Sequence, residues 1–136
     1  MIKISYDLPN SIDYINLRVN SGMGNKKSIE RVDIALKNSL FTISLYDEKK
    51  LIGIGRIIGD GGISYAVTDI MVDKEYQGKG YGRLIMKEID NYFYENTDED
   101  CYIILIANLL ADKLYSKFSF EYLPDNKCGM LRKQKK

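Results

Sequence analysis

The chain reads as a single α/β domain, and three observations carry that reading. Stretches with apolar residues at helical spacing are interleaved with short alternating or continuous apolar runs, in the order β-α-α-β-β-β-α-β-α-β-β. A length of 136 residues supports one core and is too short for two. No linker, internal repeat or low-complexity segment interrupts the pattern.

The first strand is the alternating Met1 to Tyr6 segment. Asn10 or Ser11 can cap a helix whose residues Ile12, Ile15 and Val19 recur at helical spacing, and the Ser21 to Asn25 segment, with Gly22 and Gly24, breaks it. Ser28 is a cap for a second helix with Ile29, Val32 and Leu36 on one face. Two strands, Leu40 to Tyr46 and Leu51 to Ile58, are joined at Asp47-Glu48-Lys49-Lys50 as a hairpin. A glycine-rich turn, Gly59 to Gly62, leads into a strand from Ile63 to Val72. A third helix follows with Tyr81, Ile85, Ile89 and Tyr92 or Phe93 on one face. The acidic triplet Asp98-Glu99-Asp100 precedes an apolar strand, Cys101 to Ala107, and a short helix from about Leu109 to Phe118. A last pair of strands is expected around Pro124-Asp125-Asn126.

Composition removes several function classes. A net charge of +1 lacks the basic excess of a nucleic-acid binder, and the basic run from Arg132 to Lys136 reads as a solvated tail. No apolar run has the length of a membrane span, and the N-terminus carries no signal-peptide core. Cys101 and Cys128 lack metal spacing and the chain has no histidine, so neither a zinc site nor a histidine base is expected. Both cysteines are read as reduced thiols of a cytoplasmic protein.

The most informative segment is Gln77-Gly78-Lys79-Gly80-Tyr81-Gly82, between the Ile63 to Val72 strand and the third helix. Glycines let backbone N–H groups approach a ligand, and the start of the following helix adds unpaired donors and the positive end of its dipole. The expected guest is a diphosphate. A Rossmann fingerprint is excluded because Arg83 stands where its third glycine belongs, and a P-loop because Gly80 is followed by Tyr81. The alternative is a plain strand-to-helix turn with glycines for geometry.

Gln77 to Gly82 resembles the Gln/Arg-x-x-Gly-x-Gly/Ala signature of the GCN5-related N-acetyltransferase (GNAT) family. A second stretch, Asn108 to Phe120, resembles the family's Asn-x-x-Ala-x-x-Leu/Phe-Tyr-x-Lys-x-Gly-Phe, with Asn108, Ala111, Leu114, Tyr115, Lys117 and Phe120 matching and Ser119 in place of the glycine. The resemblance covers the whole chain. It implies a single N-acetyltransferase domain over residues 1 to 136, with a mixed, mostly antiparallel sheet flanked by helices.

It also implies acetyl-CoA as cosubstrate, no metal, and transfer of the acetyl group to an amine by direct attack. The acetyl-CoA site would comprise the backbone of Ile70, Met71 and Val72, residues Gln77, Gly78, Lys79, Gly80, Tyr81, Gly82 and Arg83, together with Asn108 and Tyr115. Tyr115 would protonate the departing thiolate. Asp69, an acid in an apolar strand, is read either as the general base, or the group that positions a water acting as one, or as an anchor that orients a backbone or tyrosine hydroxyl group. Expected acceptors are a small-molecule amine or a peptide amine, with neither nucleic acid nor membrane as partner and a homodimer as the candidate assembly. A non-catalytic acyl-CoA-binding module is the other reading of the same site.

Overall fold

The computed structural model describes residues 1–24, 27–108 and 111–134. Strand β1 (Ile2–Ser5) is followed by helices α1 (Ser11–Ser21) and α2 (Ile29–Lys37) and by strands β2 (Phe41–Asp47), β3 (Lys50–Gly59) and β4 (Ser64–Val72). A single 3-10 turn, Lys74–Tyr76, leads to helix α3 (Tyr81–Asn96), strand β5 (Tyr102–Leu105) and the short helix α4 (Asp112–Ser116). The sheet runs β1-β2-β3-β4-β5, antiparallel throughout except for the parallel β4–β5 pair. This is the mixed, mostly antiparallel sheet that the resemblance implies.

Capping explains where the first two helices begin. The Asn10 side chain accepts the N–H groups of Ile12 and Asp13, and the Ser28 hydroxyl accepts that of Arg31. Gly22, left-handed at φ 81°, ends α1. The two helices cover one face of the sheet, with Tyr14, Leu17, Val32 and Leu36 packed on Leu51, Ile54 and Met71. Helix α3 covers the other face with Ile85, Met86, Ile89 and Phe93 against Ile43, Leu45, Ile52 and Ile57. The approach of α3 is close enough that a Cβ on Gly55 would lie 2.6 Å from Ile85 Cγ2.

Several sequence expectations are corrected. The buried face of α1 is Tyr14, Ile15 and Leu17, while Ile12 and Val19 are exposed. Three residues at helical spacing define a stripe, but which stripe faces the sheet is set by packing, and a ring with a polar tip wins here. Ile29 on α2 is likewise exposed. The expected strand pair around Pro124 is not formed: residues 120–134 have no ladder partner, and only a turn closed by Lys127 N–H on Pro124 O marks the place. Helix α4 spans Asp112–Ser116, shorter than expected, and Leu109 and Leu110, like Asn25 and the end of the basic tail, lie outside the described residues.

Candidate active site

The site originates in a defect of the sheet. Along β3 and β4 the register passes from Arg56↔Thr68 to Ile54↔Met71, so Asp69 and Ile70 together oppose the single residue Gly55. Asp69 sits at φ 56°, the left-handed region rarely taken by a residue with a Cβ. The bulge turns the end of β4 away from β5, and the β4–β5 ladder ends at Val67↔Leu105. Past that point the strands part around a cleft of about 420 Å³, walled by Thr68, Asp69 and Ile70 on one side and by Ile104, Ile106 and Asn108 on the other. Tyr115 of α4 lines it, and Arg18 and Met23 reach it from α1 and the segment after it. The β4 edge from Asp69 to Val72 therefore offers backbone groups to an extended ligand as a missing strand would.

The glycine loop lies beyond the end of β4. Gly78 and Gly80 are left-handed, at φ 78° and 90°, and a Cβ on either would meet nothing within 4 Å, so the loop's inner surface is open. Gly80 caps α3 without any side-chain hydrogen bond, which leaves the first-turn N–H groups of Tyr81, Gly82 and Arg83 available to an anion. The loop is braced from both ends. Buried Asp73 accepts from Glu75 N–H at 2.9 Å and pairs with Lys50 at 3.4 Å. The Gln77 amide donates to Val72 O at 2.8 Å, so its side chain holds the loop against the strand end rather than reaching outward. Lys79 lies over the Tyr76 ring, 5.6 Å from its centroid, and Arg83 is exposed on the first turn of α3. Leu114 of α4 would lie 3.4 Å from a Cβ on Gly82, so α4 and its Tyr115 pack beside the start of α3. The glycine loop thus lies beside the helix that carries Tyr115, and Tyr115 lines the cleft between the parted strands.

Tyr115 makes no hydrogen bond through its hydroxyl to the described residues, and burial pushes its pKa above the ordinary phenol value. It therefore keeps its proton at neutral pH and is free to donate it. Asp69 is committed. Its carboxylate receives the Tyr14 hydroxyl, Arg18 Nη1 at 3.1 Å, and Arg56 Nε and Nη2 at 2.9 and 2.8 Å. Three of these contacts fall on Oδ2, from Tyr14 and both Arg56 nitrogens, and Arg18 alone reaches Oδ1. The tyrosine hydroxyl that Asp69 orients is that of Tyr14. Burial, followed by the bond to Asp69, raises the Tyr14 pKa.

The sequence reading did not find Tyr14, Arg18 or Arg56. A signal existed: Arg56 interrupts the apolar β3 run as Asp69 interrupts β4, and the two strands are hairpin neighbours, so opposite charges invite pairing. Tyr14 and Arg18 stand four apart on α1, on one face of a helix. Among the described residues no group of histidine, cysteine, aspartate or glutamate could hold a metal ion, and no helix is long and apolar enough to cross a membrane.

Fold and site together define an α/β domain with a cleft between two parting strands and a glycine loop at the start of its third helix. The chain belongs to the GNAT acetyltransferase family: the family model for the acetyltransferase (GNAT) domain matches residues 21–129. Among curated proteins it is similar to an uncharacterized N-acetyltransferase from Pyropia yezoensis, 31% identical over 109 residues, covering 77% of this chain and 62% of that protein. The chain thus spans about three fifths of the curated relative. Among solved structures, a protein of unknown function from meticillin-resistant Staphylococcus aureus, described as a probable acetyltransferase, is 46% identical with a TM-score of 0.92, covering 98% of this chain and all of that one. A GNAT family protein from Streptococcus pneumoniae is 27% identical with a TM-score of 0.79 over the full length of both.

Proposed function

We propose that this chain transfers an acetyl group from acetyl-CoA to the amine of a small molecule or peptide by direct attack in a ternary complex, as a cytoplasmic enzyme. The observation that carries the reading is the cleft between β4 and β5, lined by an unpaired strand edge and by Tyr115 of α4, the helix that packs beside the glycine loop at the start of α3. The residues fit acetyl-CoA. The open loop at Gly78 and Gly80, with the first turn of α3, suits the diphosphate. The backbone of Ile70 to Val72 suits the amides of the pantetheine arm, and Lys79 and Arg83 lie beside the loop where further phosphate would be met. Acetyl-CoA, when bound, supplies an electrophilic thioester carbonyl.

The protein's own residues then position and move protons. Tyr115 donates a proton, or a hydrogen bond, to the departing sulfur. Asp69, paired with Arg18 and Arg56 and hydrogen-bonded by Tyr14, holds these side chains at the acceptor end, and the amine proton leaves through water. Neither cysteine serves as nucleophile: Cys128 is exposed in the C-terminal segment, and Cys101 lies before β5 with its thiol on Gly62 O and Asp98.

The test is thiol release from acetyl-CoA with a panel of amines, joined to calorimetry of acetyl-CoA on two loop variants. Gly80→Ala and Gly80→Asp both force a side chain into the left-handed conformation, but only aspartate adds a charge. Gly80→Asp should bind more weakly than Gly80→Ala by at least about 1.5 kcal/mol, the lower end for a hydrogen bond to a charged group. Equal affinities would remove the diphosphate from the loop. Binding without amine-dependent thiol release would make the chain an acyl-CoA-binding module.

A further inference from the structure

We propose, resting on the acetyl-transfer reading, that the acceptor amine carries an anionic group, carboxylate or phosphate, held between α1 and α2 by Arg18, Lys27 and Arg31. A second cavity of about 370 Å³ shares Arg18 and Asp69 with the cleft and is lined by four cations, Arg18, Lys27, Arg31 and Arg56, against one carboxylate. Arg56 is spent, with Nε and Nη2 on Asp69 and Nη1 on Ala35 O and the Ser39 hydroxyl. Arg18 is not. Its Nη1 serves Asp69 and Tyr14, but its buried Nε has no partner, and neither has Nη2, among the described residues. A buried donor left unpaired is costly, and an anion at this wall relieves it. Lys27 and Arg31 form no ion pair with the described residues and flank the mouth. Because Arg18 lines both cavities, an anion here would place an amine on the same molecule towards the β4–β5 cleft.

The experiment compares kcat/KM for matched amines with and without a carboxylate, and with and without a phosphate, in the wild type, Arg31→Glu and Lys27→Glu. Anionic acceptors should be preferred by at least about tenfold, and each variant should erase most of that preference while leaving the neutral amine within about twofold. The carboxylate and phosphate pairs identify the group. Binding of inorganic phosphate is followed in parallel without acetyl-CoA, and should be lost in Arg31→Glu but survive Gly80→Asp, which separates this cavity from the loop and requires no turnover. Equal use of charged and neutral amines, or phosphate binding indifferent to Arg31→Glu, would overturn the proposal even if acetyl transfer stands.

Discussion

Replacing Asp69 with asparagine tests the centre of the acceptor end. The Asp69 side chain is 9% exposed, and its partners Arg56 and Arg18 are 10% and 12% exposed, at 2.8 and 3.1 Å. At an effective dielectric of about 20, each contact is worth roughly 5 kcal/mol of gross attraction, most of it offset by the desolvation of three charges. Removing the carboxylate charge changes that balance, because two guanidinium groups stay buried with nothing to neutralise them. The expected net cost is about 3–5 kcal/mol. Against a domain stability of order 5–15 kcal/mol this is a large fraction, equivalent to a melting temperature lower by roughly 10–20 °C.

Urea denaturation followed by far-ultraviolet circular dichroism measures it. A loss below about 1 kcal/mol, the worth of an exposed ion pair, would refute the reasoning. Should Asp69→Asn be too unstable to assay, Asp69→Asn with Arg18→Gln removes one of the two stranded cations and should recover part of the loss, because the sites are coupled. As an anchor, Asp69 should also leave the midpoints of the pH–rate profile in place. A midpoint that vanishes in a folded Asp69→Asn variant would return it to the role of base.

Tyr115→Phe keeps the ring and should lower turnover about 10²–10⁴-fold at saturating acetyl-CoA with cofactor affinity little changed; a rate within about threefold of wild type would make Tyr115 a packing residue. Gly55→Ala places a Cβ 2.6 Å from Ile85, 2.9 Å from Ile70 and 3.0 Å from Ile89, and should destabilise by about 1–3 kcal/mol in the same urea assay. Asp60 accepts the N–H groups of Gly62, Ser64 and Ile63, which lowers its pKa from 3.8. The folded state thus binds that proton less readily than the unfolded chain. Its contribution is present above pH 3.8 and is lost as pH falls through the lower folded value. The melting-temperature gap between wild type and Asp60→Ala should therefore close on acidification; a gap independent of pH would refute it.

The glycine loop, the helix it opens and the Asn108 to Phe120 stretch were legible because their signals are local. A left-handed glycine, a capping side chain and a helical stripe depend on neighbours a few residues away. So were the caps Asn10 and Ser28 and the turn at Asp60. The sequence could mark Asp69 as an odd acid in an apolar strand, but its partners Tyr14, Arg18 and Arg56 lie 55, 51 and 13 residues away. Only the register of β3 on β4, with its bulge at Asp69 and Ile70, and the docking of α1 on that face bring them together.

The parting of β4 from β5 is likewise a tertiary fact, since no residue in either strand encodes where a parallel ladder stops. The C-terminal segment shows the converse. A strand pair around Pro124 is the expectation, but a strand is stable only when another edge completes its hydrogen bonds, and that edge is supplied by tertiary contact rather than by the residues of the segment itself.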